Sequence, residues 1–305
     1  MLSVNLWFES AKAPKQTLET SPRTAQLLEK LDALFKEMGS ALVCYSGGVD
    51  SALILALAHK SIGDRAIGMT AVSPSLAPFE REAAIQVAKQ IGARHELVES
   101  HEIDDPSYQA NDINRCFFCK SELYRIADQK QIEWSMNGIV NGTNLDDLGD
   151  HRPGLVAAKN AKVRSPFVEL DMNKSDVRAC AEAIGLGVWD KPAAACLSSR
   201  LPFGTSVTRE RLEQIGGLEA ELHSLGLKQV RVRWHALGKA ENTASGSIAR
   251  VEVAKDELAN AFEVRDEIVR AGKKFGFAYV TLDLQGYRMG SHNEVIVGKS
   301  LRVVS

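Results

Sequence analysis

The sequence predicts an α/β protein, a parallel-sheet domain at 1–205 followed by a smaller α+β domain at 206–305. Three observations carry this. Short continuous apolar runs alternate with stretches whose apolar residues recur at helical spacing. Glycines and prolines punctuate those stretches where helices should begin and end. After Pro202-Phe203-Gly204 the apolar runs give way to strands that alternate apolar and polar residues.

Taken in order, Ser21-Pro22 reads as an N-cap with proline at the first helical position. Leu27, Leu28, Leu31, Leu34, Phe35 and Met38 then recur at helical spacing, and Gly39 ends the helix. The run 41–45 suits a strand buried on both faces. A helix at 52–58, a strand at 66–72, a helix at 79–91 closed by Gly92 and a short strand at 95–98 follow. A helix at 119–132 leads to a strand at 138–141, which runs into Gly142-Thr143-Asn144. Asn173 with Asp176 three residues on is a variant capping box opening a helix at 174–184. Strands alternating with helices argue a parallel sheet covered on both faces. The second domain reads as a helix at 208–225, strands at 230–234 and 248–253, a helix at 255–273 and a strand at 278–284. Arg231 and Arg233 share one strand face, because strand side chains alternate with period two.

A length of 305 residues is comfortable for two domains. The formal net charge of -2, with no strong basic run, gives no support for a nucleic-acid partner. No apolar stretch approaches the roughly 20 residues that cross a bilayer. The start, MLSVNLWFESAKAPK, lacks the pattern of a signal peptide, so a cytoplasmic protein is expected. Five cysteines, Cys44, Cys116, Cys119, Cys180 and Cys196, argue against a disulfide framework and for metal or reactive roles.

The string Ser46-Gly47-Gly48-Val49-Asp50-Ser51 lies between a buried strand and a helix. Two glycines let the backbone approach an anion closely, and a helix start offers free N–H groups. Ser46 and Ser51 carry hydroxyl donors for phosphate, and Asp50 implies Mg²⁺ between its carboxylate and the phosphates. No GK[ST] follows, so this is not a Walker loop. It resembles the PP-loop of ATP pyrophosphatases, the class of GMP synthetase, NAD synthetase and tRNA thiolation enzymes. That resemblance implies the adenine-nucleotide α-hydrolase-like fold and cleavage of ATP between the α and β phosphates. It also implies nucleotide contacts at Met69 and at Gly142 and Thr143.

Cys116-Phe117-Phe118-Cys119 is a CxxC at a helix start, and Cys196 lies far away in sequence. Three thiols in such a chain have three readings. They could ligate a [4Fe–4S] cluster with one open iron. They could hold zinc with a fourth ligand such as His101 or His151. Cys116 and Cys119 could instead form a redox dithiol. Cys44 and Cys180 sit among apolar neighbours and read as small buried hydrophobes.

The strings Arg115-Cys116-Phe117-Phe118-Cys119-Lys120, Gly142-Thr143-Asn144 and Lys191-Pro192-Ala193-Ala194-Ala195-Cys196-Leu197-Ser198-Ser199-Arg200 resemble LarE. So do Arg231-Val232-Arg233 and the segment Leu282-Asp283-Leu284-Gln285-Gly286-Tyr287-Arg288. The resemblance covers roughly 20–300. It implies an ATP-dependent sulfur transferase in the synthesis of the nickel-pincer cofactor of lactate racemase. There a carboxylate of a pyridinium dicarboxylate mononucleotide is adenylylated, and sulfur replaces AMP to give a thiocarboxylate. Members with one cysteine, at the position of Cys196, sacrifice its sulfur. Members with all three, as here, hold a [4Fe–4S] cluster, so Cys116, Cys119 and Cys196 are the implied ligands. Cys196 and Asp50 are then the catalytic residues, and Arg231, Arg233, Ser199 and Arg200 bind substrate phosphate. The forked guanidinium suits that task. A homo-oligomer is implied, and the sulfur donor is unspecified. A tRNA thiolation enzyme and an ammonia-using synthetase of the same class are the competing readings.

Overall fold

The computed structural model describes residues 20–148, 153–192, 194–238 and 246–288. His151 and the segment MLSVNLWFESAKAPK lie outside the described residues. The chain forms two compact units that divide between Ala195 and Cys196. The sequence pattern puts the boundary at 205; the structural division comes earlier, so Cys196, Ser199 and Arg200 fall in the second unit.

The first unit opens with α1 (Pro22–Met38), capped by the Ser21 side chain accepting from the Thr24 N–H and stopped at Gly39. Strand β1 (Ala41–Cys44) enters the core and leads into α2 (Val49–Ile62). Strand β2 (Ala66–Val72), α3 (Pro78–Ile91) and β3 (Arg94–Glu99) complete the first half. The second half holds a single turn α4 (Pro106–Gln109), the long α5 (Arg115–Glu133) and β4 (Ile139–Val140). Helices α6 (Pro153–Asn160), α7 (Pro166–Glu169) and α8 (Lys174–Ala183) follow. The four strands pair in parallel in the order β3-β2-β1-β4. With β1 and β2 central, the C-terminal ends of the strands and the loops that follow them are where an open parallel sheet binds ligands.

Helix α2 is apolar nearly all round, and Leu53, Ile54, Leu55 and Leu57 are buried. Each such side chain contributes about 1.5–3 kcal/mol on burial. Leu27, Leu31 and Phe35 of α1 and Val177 and Cys180 of α8 join the same core. The loop between β1 and α2 therefore rests on this buried core. Helix α8 carries the complete capping box, with the Asn173 and Asp176 side chains each accepting from the other's N–H.

The second unit contains α9 (Arg209–Ser224), capped by Thr208, and β5 (Val230–Ala236). Strand β6 (Ser247–Val253), α10 (Leu258–Glu263), α11 (Arg265–Lys274) and β7 (Tyr279–Leu282) follow. Its sheet order is β5-β6-β7, antiparallel then parallel. The helix expected at 255–273 is broken at Val264. Arg265 spans the break by stacking on Phe262 at 5.1 Å and donating to its carbonyl at 3.2 Å. Among the described residues no helix is long and apolar enough to cross a membrane.

Candidate active site

The loop follows from β1 turning into α2. Gly47 has φ of 73°, and an added Cβ would sit 2.7 Å from the Ala84 Cα on α3. Only glycine meets both demands. The helix begins at Val49, earlier than its apolar pattern indicated, with Gly48 as N-cap and no side-chain cap. The first-turn N–H groups of Val49, Asp50 and Ser51 have no partner within the helix by construction, and they favour an anion. Ser51 stiffens the turn from inside: its hydroxyl donates to the Gly48 carbonyl at 3.2 Å and accepts from the Ser46 N–H at 3.1 Å. The Ser46 and Ser51 hydroxyls also meet at 3.1 Å.

The 142–144 segment closes on this turn. An added Cβ at Gly142 would lie 2.8 Å from the Asp50 Cβ and 2.9 Å from the Asp50 backbone carbon. That close approach lets Asn144 Nδ2 donate to Asp50 Oδ1 at 3.1 Å. Lys174, at the start of α8, donates to Asp50 Oδ2 at 2.5 Å. Both oxygens of Asp50 therefore have partners in the same unit. Lys174 went unread at the sequence level, because its partner lies 124 residues away. The Thr143 N–H donates to Asn141 Oδ1 at 3.1 Å, which fixes the segment's backbone.

Met69 stands differently. It is fully buried and packs with Leu42, Ile126, Ala127 and Ile139. Its side chain is core. The partly exposed stretch of β2 and its exit is Ala71, Val72 and Ser73.

Cys116 and Cys119 lie in the first turns of α5, exposed and half-buried respectively. A buried network holds this helix start. Arg115 Nη1 donates to Asn111 Oδ1 at 2.6 Å, and Asn111 is fully buried with φ of 54°. The neighbouring Tyr108 and Ser75 hydroxyls meet at 2.5 Å. These residues were missed because isolated polar side chains give no periodic signal. Cys180 is buried as expected, while Cys44 is half-buried against the core. Desolvation pushes the Cys44 and Cys180 thiols up to about 12 and about 11, so they stay protonated. Among the described residues no three His, Cys, Asp or Glu side chains gather as a metal site.

Cys196 opens the second unit with its side chain exposed. Its carbonyl accepts from the Ser199 N–H at 3.0 Å, the Ser199 hydroxyl at 2.8 Å and Arg200 Nη1 at 3.1 Å. The backbone is pinned while the thiol faces outward. Arg200 is itself buried and forks onto Glu219 at 2.9 and 3.1 Å. Burial opposes the Glu219 charge, but Arg200 outweighs it and holds the carboxyl below its usual range. Arg233 is buried against Glu252 at 3.0 Å and donates to the Ser199 carbonyl at 3.0 Å. Arg231 is half-buried and stacks on Tyr287 at 5.3 Å. Arg250 joins Glu252 at 3.1 Å and Asp283 at 2.5 Å. Asp283 thus acquires a structural role that its sequence did not disclose.

The parallel sheet and its phosphate turn define a PP-loop enzyme that uses ATP. No protein-family model matches the chain. It is 44% identical over 273 residues to an uncharacterised protein of Synechocystis sp., covering 88% of this chain and 97% of that one. It is 32% identical over 272 residues to the pyridinium-3,5-bisthiocarboxylic acid mononucleotide synthase of Lactiplantibacillus plantarum, covering 89% and 95%. One subunit of the glutamine-hydrolysing GMP synthase of Archaeoglobus fulgidus is 27% identical over 181 residues, covering 54% and 55%. The chain belongs to the family of the pyridinium-3,5-bisthiocarboxylic acid mononucleotide synthase, the LarE family.

Proposed function

We propose that this chain uses ATP to adenylylate a carboxylate of a pyridinium dicarboxylate mononucleotide and inserts sulfur to form a thiocarboxylate, on the route to the nickel-pincer cofactor of lactate racemase. The observation that carries the reading is the phosphate turn closed on Asp50 by Asn144 and Lys174. The exposed thiol of Cys196 on its pinned backbone, in the other unit, supports the sulfur half. The substrate carboxylate oxygen attacks the α phosphorus and pyrophosphate leaves. The sulfur nucleophile then attacks the acyl carbon and AMP leaves, since a bare carboxylate resists nucleophiles and AMP is a good leaving group.

The first-turn N–H groups of α2 with Ser46, Gly47, Gly48 and Ser51 hold the phosphates, and the Gly142-Thr143 backbone lines the nucleotide's other side. The carboxylate of Asp50 suits Mg²⁺ as a hard oxygen ligand, with Lys174 as the cation it exchanges. Cys116, Cys119 and Cys196 are the thiols assigned to a [4Fe–4S] cluster, whose usual protein ligand is thiolate, and Cys116 and Cys196 are both exposed. When bound, that cluster would supply an open iron able to carry sulfide. Arg231 with its neighbours Ser199, Arg200 and Arg233 is assigned to substrate phosphate. Within that group, Arg200 and Arg233 act by shaping the site, because each has a buried carboxylate partner. The assembly is proposed to be a homo-oligomer.

Anaerobic purification followed by iron and acid-labile sulfide analysis tests the sulfur half. Both should be present and fall in Cys116→Ala, Cys119→Ala and Cys196→Ala. Zinc without iron, or loss of H₂S mass from Cys196 after turnover, would contradict the cluster assignment.

A further inference from the structure

The nucleotide loop contains no cation of its own, and its one ionisable side chain is the acid Asp50. ATP brings several negative charges to that turn. The neutralising charge must come from elsewhere in the fold.

One source is already in place on the α3 side. Glu80 lies in the first turn of α3, one helical turn before Ala84, the residue against which Gly47 is packed. Residues four apart share a helix face. The face of α3 that supports the loop therefore also carries a carboxylate, which would repel a phosphate. Lys191 answers it: its ammonium donates to Glu80 Oε2 at 2.8 Å and to the Gly47 carbonyl at 3.4 Å. The Lys191 side chain is only 12% exposed.

The backbone around Lys191 is fixed independently. Arg178 of α8 donates to the Trp189 carbonyl at 2.6 Å and to the Lys191 carbonyl at 3.0 Å. The main chain is tethered, while the four-carbon stem and rotatable ammonium remain able to re-aim. An ammonium carries three donors, and two have partners here.

We propose that Lys191 is a phosphate-contacting residue of the nucleotide site, and that Glu80 is the carboxylate it relinquishes when ATP binds. This rests on the ATP-using reading of the same loop. Glu80 then does two things. It keeps the lysine beside the turn, and it sets a threshold that the nucleotide must overcome.

The test is ATP binding to the full chain by calorimetry at fixed Mg²⁺, with thermal melts as a check on folding. Lys191→Met should weaken ATP about tenfold or more, the scale of a lost hydrogen bond to a charged group. Lys191→Arg should recover part of it. Glu80→Gln is the sharper variant, because a freed Lys191 should bind ATP about two- to threefold more tightly, the scale of one partly exposed ion pair. In the double variant that gain should vanish. If Glu80→Gln and Lys191→Met weaken ATP equally, the pair is a structural clamp and the proposal is overturned. Wild-type affinity in Lys191→Met also overturns it. A wild type that binds no ATP overturns the nucleotide reading itself, and with it this one.

Discussion

The two units use the same chemistry in opposite ways. At the phosphate loop, carboxylates meet lysines, and the pairs are partly open: 33% and 25% exposure for Lys174 and Asp50, 12% and 21% for Lys191 and Glu80. In the second unit, carboxylates meet arginines that are buried: 2% and 5% for Arg200 and Glu219, 7% and 0% for Arg233 and Glu252. A lysine is a point charge on a flexible stem, and an arginine is a planar fork that fixes geometry. Water and ligand can compete for the first kind. Breaking the second leaves a charge stranded in the interior. The loop pairs are thus exchangeable, and the Arg–Glu pairs are part of the frame that presents Cys196.

The largest effect is expected where the frame is broken. Glu219→Ala strands Arg200 and removes an acceptor from the Val232 N–H, so about 3–5 kcal/mol of stability should be lost. Denaturant melts should show it, and a change below about 1 kcal/mol would mean the pair is no more than a surface bridge. Asp50→Ala should do the reverse. Pyrophosphate release should cease while the melting temperature stays close to wild type, because the pair it breaks is open to solvent. Loss of folding in that variant would erase the contrast between the units.

Gly142→Ala separates shape from charge at the loop. Its new Cβ cannot clear Asp50, so the 142–144 segment must withdraw and Asn144 must lose its bond. Turnover should fall by one to two orders of magnitude, the scale on which about 1 Å of misplacement acts. Steady-state pyrophosphate release measures it.

The smallest expected effect is a pH dependence shared by both units. Burial lowers the pKa of His95, which bonds Thr70, and burial followed by Arg250 and Arg233 lowers that of His235. A folded pKa below the unfolded value means the unfolded chain takes up the proton first. Stability should therefore be lost as pH falls below about 6.5, the unperturbed value, and continue falling until the folded pKa is reached. His95→Gln and His235→Gln should each flatten that slope, and an unchanged slope in both would exclude these rings as its source.

Much of the frame was readable in advance where local chemistry decides. Ser21-Pro22 and Gly39 bound α1 as expected, β2 is formed by the expected residues 66–72, and the Asn173–Asp176 box is complete. The start of α2 was read late because Val49, Asp50 and Ser51 serve both motif and helix. Helices α4 and α7 are too short to show a period. The loop and the thiols could be named as candidates from the sequence, but the counter-charges beside the loop could not. Lys174 and Lys191 find their partners across more than a hundred residues, and no local pattern announces such a pair. Glu219 and Glu252 escape local reading for the same reason. Their burial comes from arginines 19 residues away, across elements whose packing only the fold sets.

The central claim is AMP-forming use of ATP at the loop around Asp50. It is tested most directly by ³¹P NMR of the full chain turning over ATP and Mg²⁺ with the pyridinium dicarboxylate mononucleotide. The wild type should yield AMP and pyrophosphate only when that substrate is present, and Asp50→Ala should yield neither. Formation of ADP and phosphate, or unchanged AMP formation in Asp50→Ala, would contradict it.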